Sequence, residues 1–227
     1  MSDIALPVGG HGHEDAHAHP KHLQHHFHSS AQQFETSKLG MWLFLVTEIL
    51  LFSGLFLAYF ILQTKHPQAF IEAHHHLDRN LGVLNTIVLL ISSFTMVMAV
   101  QSSALGKTKA TLAFLYTTFT LGGVFMTVKY FEYSHKIHDG LLLGNLFSYA
   151  GAKVPGEYLF FSMYFMMTGV HGIHILAGMG VIAYLIWRTH KGAYSKDYYT
   201  PIDLTGLYWH LVDLIWIYLF PLLYLVS

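Results

Sequence analysis

An acid in the middle of an apolar run is the residue whose chemistry most needs explaining. Glu48 lies within Lys38 to Gln63, KLGMWLFLVTEILLFSGLFLAYFILQ, roughly 15 Å along the helix axis from Lys38 at a rise of about 1.5 Å per residue. That depth is near the centre of a hydrocarbon layer about 30 Å thick. An acid there costs about 2.5–3.5 kcal/mol, whereas each Leu, Ile, Phe or Val returns about 0.3–0.6 kcal/mol, so the segment still inserts. Insertion alone does not explain the residue. An intramembrane acid faces protein or water and needs a partner, and without an opposite charge its neutral form is the default.

Partners exist in two other apolar runs. His171 and His174 lie in TGVHGIHILAG, and His210 and Asp213 lie in WHLVDLIW, each pair at i, i+3 and therefore on neighbouring positions of one helix face. The segment that holds His171 and His174 is centred near residue 172, which places both rings at about the depth of Glu48. A Glu–His pair between helices is therefore geometrically cheap. Three chemistries compete. Haem ligation by two histidines would pair His171 or His174 with His210, whose depth does not match. Metal binding would use Glu48, His171 and His174 as a 2-His-1-carboxylate set, for which the spans supply no supporting shell. A proton-linked or structural hydrogen-bond network needs only the residues present.

The elements that must position these groups follow from composition. Of 227 residues, 53% are hydrophobic and 11% charged, which indicates an integral membrane protein. Twelve basic and thirteen acidic side chains leave no basic field to recruit nucleic acid. With no cysteine, disulfides, thiolate metal sites and iron–sulfur ligation are excluded. No cleaved signal peptide is visible, and the N-terminal segment is not Arg-rich in the manner of a transit peptide, which favours a bacterial source.

The predicted fold is all-α: an integral membrane bundle of five transmembrane helices over residues 38–227, with spans at about 38–63, 81–101, 108–134, 157–187 and 206–226. Residues 1–37 are expected to form a His-rich disordered or extended tail. His11, His13, His17, His19, His22, His25, His26 and His28 could chelate metal or simply be solvated, and His74, His75 and His76 form a smaller cluster with the same two readings. Ser92, Ser93 and Thr95 suit close helix contact in lipid, and Gly122 and Gly123 read as a packing notch. Five crossings place the termini on opposite faces. Lys21, Lys38, Lys107, Lys109, Arg188, Lys191 and Lys196 fall on the N-terminal side, against Lys65, Arg79, Lys129, Lys136 and Lys153 on the other. The bias predicts a cytoplasmic N-terminus.

Five segments taken in order, WLFLVTEILLFSGLFLAY, LNTIVLLISSFTM, KYFEY, TGVHGIHILAG and WHLVDLIW, resemble subunit III of haem–copper oxidases. The resemblance covers about residues 38–226. It implies a non-catalytic accessory subunit of a proton-pumping cytochrome c oxidase that holds no cofactor itself, while haem and copper reside in partner subunits I and II. It also implies support of proton uptake, structural phospholipid between helices, a bacterial plasma membrane, and possible membership of a larger respiratory assembly. Glu48 falls on the family's buried, carbodiimide-reactive carboxyl, and His171, His174, Glu132, His210 and Asp213 fall on recurring polar positions. The chain lacks the first two helices of the seven-helix form. Glu48 points to the cytochrome c branch, whereas quinol oxidases of the family often carry Asp there and share the five-helix form with a His-rich N-terminus. From a different class, a small proton-conducting transporter would also use Glu48 and the midplane histidines, although no inverted repeat or broken helix accompanies them.

Overall fold

Apolar runs closed by capping and turn residues set the helix limits. The computed structural model describes residues 30–141, 147–148, 154–196 and 198–225, and these form six α-helices with no strand among them. They are α1 (Ser30–Lys65), α2 (Pro67–His74), α3 (Arg79–Ala104), α4 (Thr108–His138), α5 (Glu157–His190) and α6 (Thr200–Tyr224). All except α2 are long and apolar enough to cross a membrane, giving the five expected spans. Asp78 caps α3 by accepting from the N–H groups of Asn80 at 2.8 Å and Leu81 at 3.3 Å. Between α3 and α4 the chain turns through Gly106 at φ 71°, a backbone angle that favours glycine.

Several limits differ from the sequence reading. Helix α1 begins at Ser30, so residues 30–37 are helical; the eight tail histidines lie outside the described residues. Helix α6 begins at Thr200 rather than 206 because Pro201, in its first turn, has a backbone suited to a helix start and no N–H to leave unpaired. Helix α2 was not foreseen. Its eight residues, PQAFIEAH, are too short to read as a span, but Pro67 starts it and Ala69, Phe70, Ala73 and His74 are buried. The Phe70 ring lies edge-on to Tyr59 at 5.2 Å and to Phe160 at 5.4 Å, docking α2 between α1 and α5.

Helix α2 carries a pH dependence. His74 is buried, its Nδ1–H donating to the Ile71 carbonyl at 2.5 Å, and desolvation holds its pKa below the usual imidazole range. Docking then favours the neutral ring, so its contribution is present above the unfolded value of about 6.5 and is lost as pH falls below it. The protection factors of the 67–77 amides, taken relative to intrinsic exchange at each pH, should therefore fall between about pH 7 and pH 5, and His74→Phe should flatten that dependence.

Helix α6 touches α1, α3 and α5 and carries the two largest fully buried side chains among the described residues, Trp209 and Trp216, together with the buried Tyr224. Indole N–H groups stitch it to α3: Trp209 Nε1 donates to Ser92 Oγ at 2.9 Å and Trp216 Nε1 to Thr86 Oγ1 at 3.1 Å. Thr95 and Thr118 share a hydrogen bond of 2.8 Å between α3 and α4. Small residues let the helices close on these indoles. A Cβ at Gly178 would meet the Trp209 ring at 2.9 Å, and one at Gly122 would meet it at 3.1 Å, so Gly122 does form a notch. Gly178→Val should cost about 1–3 kcal/mol through overpacking. Gly180, with nothing within 4 Å of its Cβ position, supplies the control: Gly180→Ala should shift the thermal midpoint little. By contrast, the most apolar window of α1 is only 17% buried, against 44% for α6, so α1 is the peripheral helix.

Candidate functional site

Glu48 on α1 and His174 on α5 meet across the helix interface, with Glu48 Oε2 2.7 Å from His174 Nε2. The other ring nitrogen, Nδ1, lies 2.7 Å from the Val170 carbonyl oxygen. A carbonyl only accepts, so Nδ1 carries a hydrogen. Nε2 then either accepts from a protonated Glu48 or, in the imidazolium form, donates to a carboxylate. In both cases the bond holds one proton and the pair as a whole is neutral. Phe52, one turn after Glu48, packs edge-on to His174 at 5.3 Å, and the Tyr208 hydroxyl donates to the His174 carbonyl at 3.0 Å. Each side chain of the pair remains 16% accessible, so the bond lies at the edge of the bundle rather than in its core.

The other expected residues do not join this pair. His171 is fully buried, stacked on Trp216 at 5.4 Å and edge-on to Phe125 at 5.7 Å, with no hydrogen bond at either ring nitrogen among the described residues. The i, i+3 spacing brings the two histidines near one another along α5, but the roughly 100° step per residue aims them at different neighbours. His210 pairs with Ser93 through a 2.7 Å contact between Nδ1 and Oγ. Asp213, one turn on, is buried with Ser93 close to it, yet neither carboxyl oxygen makes a hydrogen bond to a described residue. Among the described residues no group of three or more His, Cys, Asp or Glu side chains could hold a metal ion. Glu48, His171 and His174 therefore do not assemble as a metal-ligand set.

Glu132 anchors a second centre. Its Oε2 lies 2.9 Å from Lys129 Nζ, and its Oε1 accepts from the Tyr224 hydroxyl at 2.6 Å with Lys136 Nζ 3.6 Å away. Lys129 also donates to Tyr224 at 2.7 Å and lies 4.6 Å from the centre of the Trp216 ring. The polar charge cluster thus meets the stack that holds His171. Sequence reasoning counted Lys129 and Lys136 as loop charges and did not connect them to Glu132. A signal was present: Lys129, Glu132 and Lys136 stand at i, i+3 and i+7, one stripe of α4. The tyrosines were not predictable, since Tyr164 and Tyr224 come from distant helices.

Five membrane-length helices, an acid–imidazole pair at mid-depth and a buried lysine–glutamate cluster together define a polytopic membrane bundle with an internal polar scaffold. The family model described as "Cytochrome c oxidase subunit III" matches residues 19–227. The chain belongs to the cytochrome c oxidase subunit III family, and is thereby an accessory subunit of a haem–copper respiratory oxidase. It is 32% identical over 198 residues to quinol oxidase subunit 3 of Bacillus spizizenii, covering 86% of this chain and 91% of that relative. It is 32% identical over 190 residues to cytochrome c oxidase subunit 3 of Thermostichus vulcanus, covering 83% and 87%. Over 200 residues it is 29% identical to cytochrome bo(3) ubiquinol oxidase subunit 3 of Pseudomonas putida, covering 88% and 89%.

Proposed function

We propose that this chain supports oxygen reduction and proton uptake by redox-active subunits I and II, which hold the haem and copper, in a bacterial plasma membrane. The carrying observation is the 2.7 Å Glu48–His174 bond at the exposed edge of α1, where a neighbouring subunit or lipid reaches a site able to hold one proton. The chain's own residues hold and orient that proton. His174 is fixed by the Val170 carbonyl and Phe52, so Glu48 meets a ring of fixed tautomer. Glu132, His171, His210 and Asp213 act in this reading as the internal fastening of the bundle. Phospholipid covers exposed helix faces, and membership of a larger respiratory assembly is compatible with the open face of α1.

A cytoplasmic N-terminus follows from the charge bias. Lys129 and Lys136 are buried, so they leave the count of loop charges, and five basic residues on the outer side become three against seven. Glu48 favours cytochrome c as the electron donor. A quinol donor is the second reading, favoured by the Bacillus spizizenii relative.

The test is to tag the full chain, extract it in mild detergent and identify what copurifies. A complex with haem, copper and oxygen-reducing activity is expected, together with stimulation by either reduced cytochrome c or a quinol. An isolated chain that conducts protons through liposomes and loses that flux in Glu48→Gln would instead establish a transporter.

A further inference from the structure

We infer that the seam between α3 and α6 docks a membrane helix of a neighbouring oxidase subunit, and that this helix places a neutral O–H or N–H donor against Nε2 of His210. The inference rests on the chain being an accessory subunit and names a face by which it is held.

His210 and Ser93 meet on this seam through the 2.7 Å contact between Nδ1 and Oγ. His210 stands in α6 (Thr200–Tyr224) and Ser93 in α3 (Arg79–Ala104), each ten or more residues from either end of its helix. At least about 15 Å of helix therefore separates both from the ends. At that depth the hydrocarbon offers no hydrogen bond, and an imidazole is placed against protein. The His210 ring is nonetheless only half-buried. Its Nε2 makes no hydrogen bond to a described residue and, unlike the ring nitrogens of His171, is not shut inside the bundle. Beyond fastening α3 to α6, His210 thus presents an open polar atom that lipid tails cannot satisfy.

The neighbouring acid sets the direction of the missing bond. Asp213, one turn after His210, is buried with Ser93 close to it, and neither carboxyl oxygen makes a hydrogen bond to a described residue. Ionised or protonated, a carboxyl accepts at more sites than it donates from, whereas Ser93 has a single hydroxyl hydrogen. That hydrogen turns toward Asp213, leaving Oγ to accept from Nδ1–H of His210. In the neutral ring Nε2 is then a bare acceptor, and the atom that meets it from outside must donate. The rest of the seam is apolar. Leu90 lies three residues before Ser93, and Leu214 and Ile217 lie four and seven after His210; all three are exposed. This spacing keeps them beside the polar pair, where close helix packing would enclose it.

The complex that copurifies with the tagged full chain is tested with photoreactive benzoylphenylalanine at position 90 or 217. Adducts to a membrane helix of another subunit are expected from both positions, within one turn of a side chain bearing O–H or N–H. Adducts to lipid alone, or to a second copy of this chain, would overturn the docking site. A captured helix whose only polar groups at that level are acceptors would overturn the donor assignment. The double variant Leu90→Trp/Ile217→Trp, at exposed positions, should leave the amount of chain in the membrane unchanged and lower the fraction recovered in the complex at least tenfold. Wild-type recovery would overturn the surface. His210→Leu should also lower that fraction, and His210→Gln, which offers an acceptor oxygen outward and an amide hydrogen to Ser93, should restore it. Equal loss in both would assign His210 to packing α3 on α6 alone and overturn its outward role. A captured complex without haem or oxygen reduction would count against the proposed function and leave the cross-link readout intact.

Discussion

Glu132→Leu should prevent recovery of the chain in an assembled complex. The Glu132 side chain is 2% accessible and is flanked by Lys129 and Lys136 at 8% and 4%. Removing it leaves two ammonium groups in a low-dielectric interior, and breaking a buried pair by deleting one partner costs about 3–5 kcal/mol. Set against a net stability of about 5–15 kcal/mol for a typical folded protein, that is a large fraction. Lys129→Met should be milder, because Glu132 keeps Lys136 and the Tyr224 hydroxyl. The double variant Lys129→Met/Glu132→Leu should recover much of the yield lost by Glu132→Leu alone, since one cation and the carboxylate leave together and Lys136 still borders an outer cavity. Yield of the complex and its thermal midpoint, arranged as a double-mutant cycle, report the coupling. Near wild-type yield of Glu132→Leu would mean that water enters the cluster and solvates both lysines.

The parts legible from sequence were those governed by local pattern. Span number followed from apolar run length, and the Glu48 pairing from matching depth along two runs, a one-dimensional quantity that survives folding. Rotation about a helix axis is not one-dimensional. His171 and His174 both had the right depth, and only packing against Phe125, Trp216 and Phe52 decided which ring faces α1. Helix α2 was missed for a related reason: its stability comes from Phe70 entering an aromatic cluster made by Tyr59 and Phe160, residues remote in sequence. Lys129 was misread because a lysine near a span's end ordinarily extends to the interface. Here it turns inward, drawn by Glu132, two tyrosines and the Trp216 face.

Glu48→Gln should assemble normally, whereas Glu48→Lys should not. The single proton in the Glu48–His174 bond makes the pair neutral in either protonation arrangement, so an uncharged side chain that donates to Nε2 preserves the contact. The Gln amide does so, and the change in stability should stay within about 1 kcal/mol. Lysine can also donate to Nε2, but it replaces a pair that is neutral as a whole with one that carries a net charge at mid-bilayer depth, where no acid faces it, so the yield of assembled complex should fall well below that of the Gln variant. Glu48→Asp separates reach from charge: one methylene shorter, it loses the 2.7 Å contact unless α1 moves toward α5. The Gln variant also isolates function from packing, because it keeps the hydrogen bond and removes the exchangeable acid. If Glu48→Gln assembles with unimpaired proton uptake during turnover, the pair is only a clasp between α1 and α5. If instead Gln fails to assemble while His174→Lys, with the native Glu48 in place, still assembles, the bond is a carboxylate–imidazolium ion pair, and its proton resides on His174.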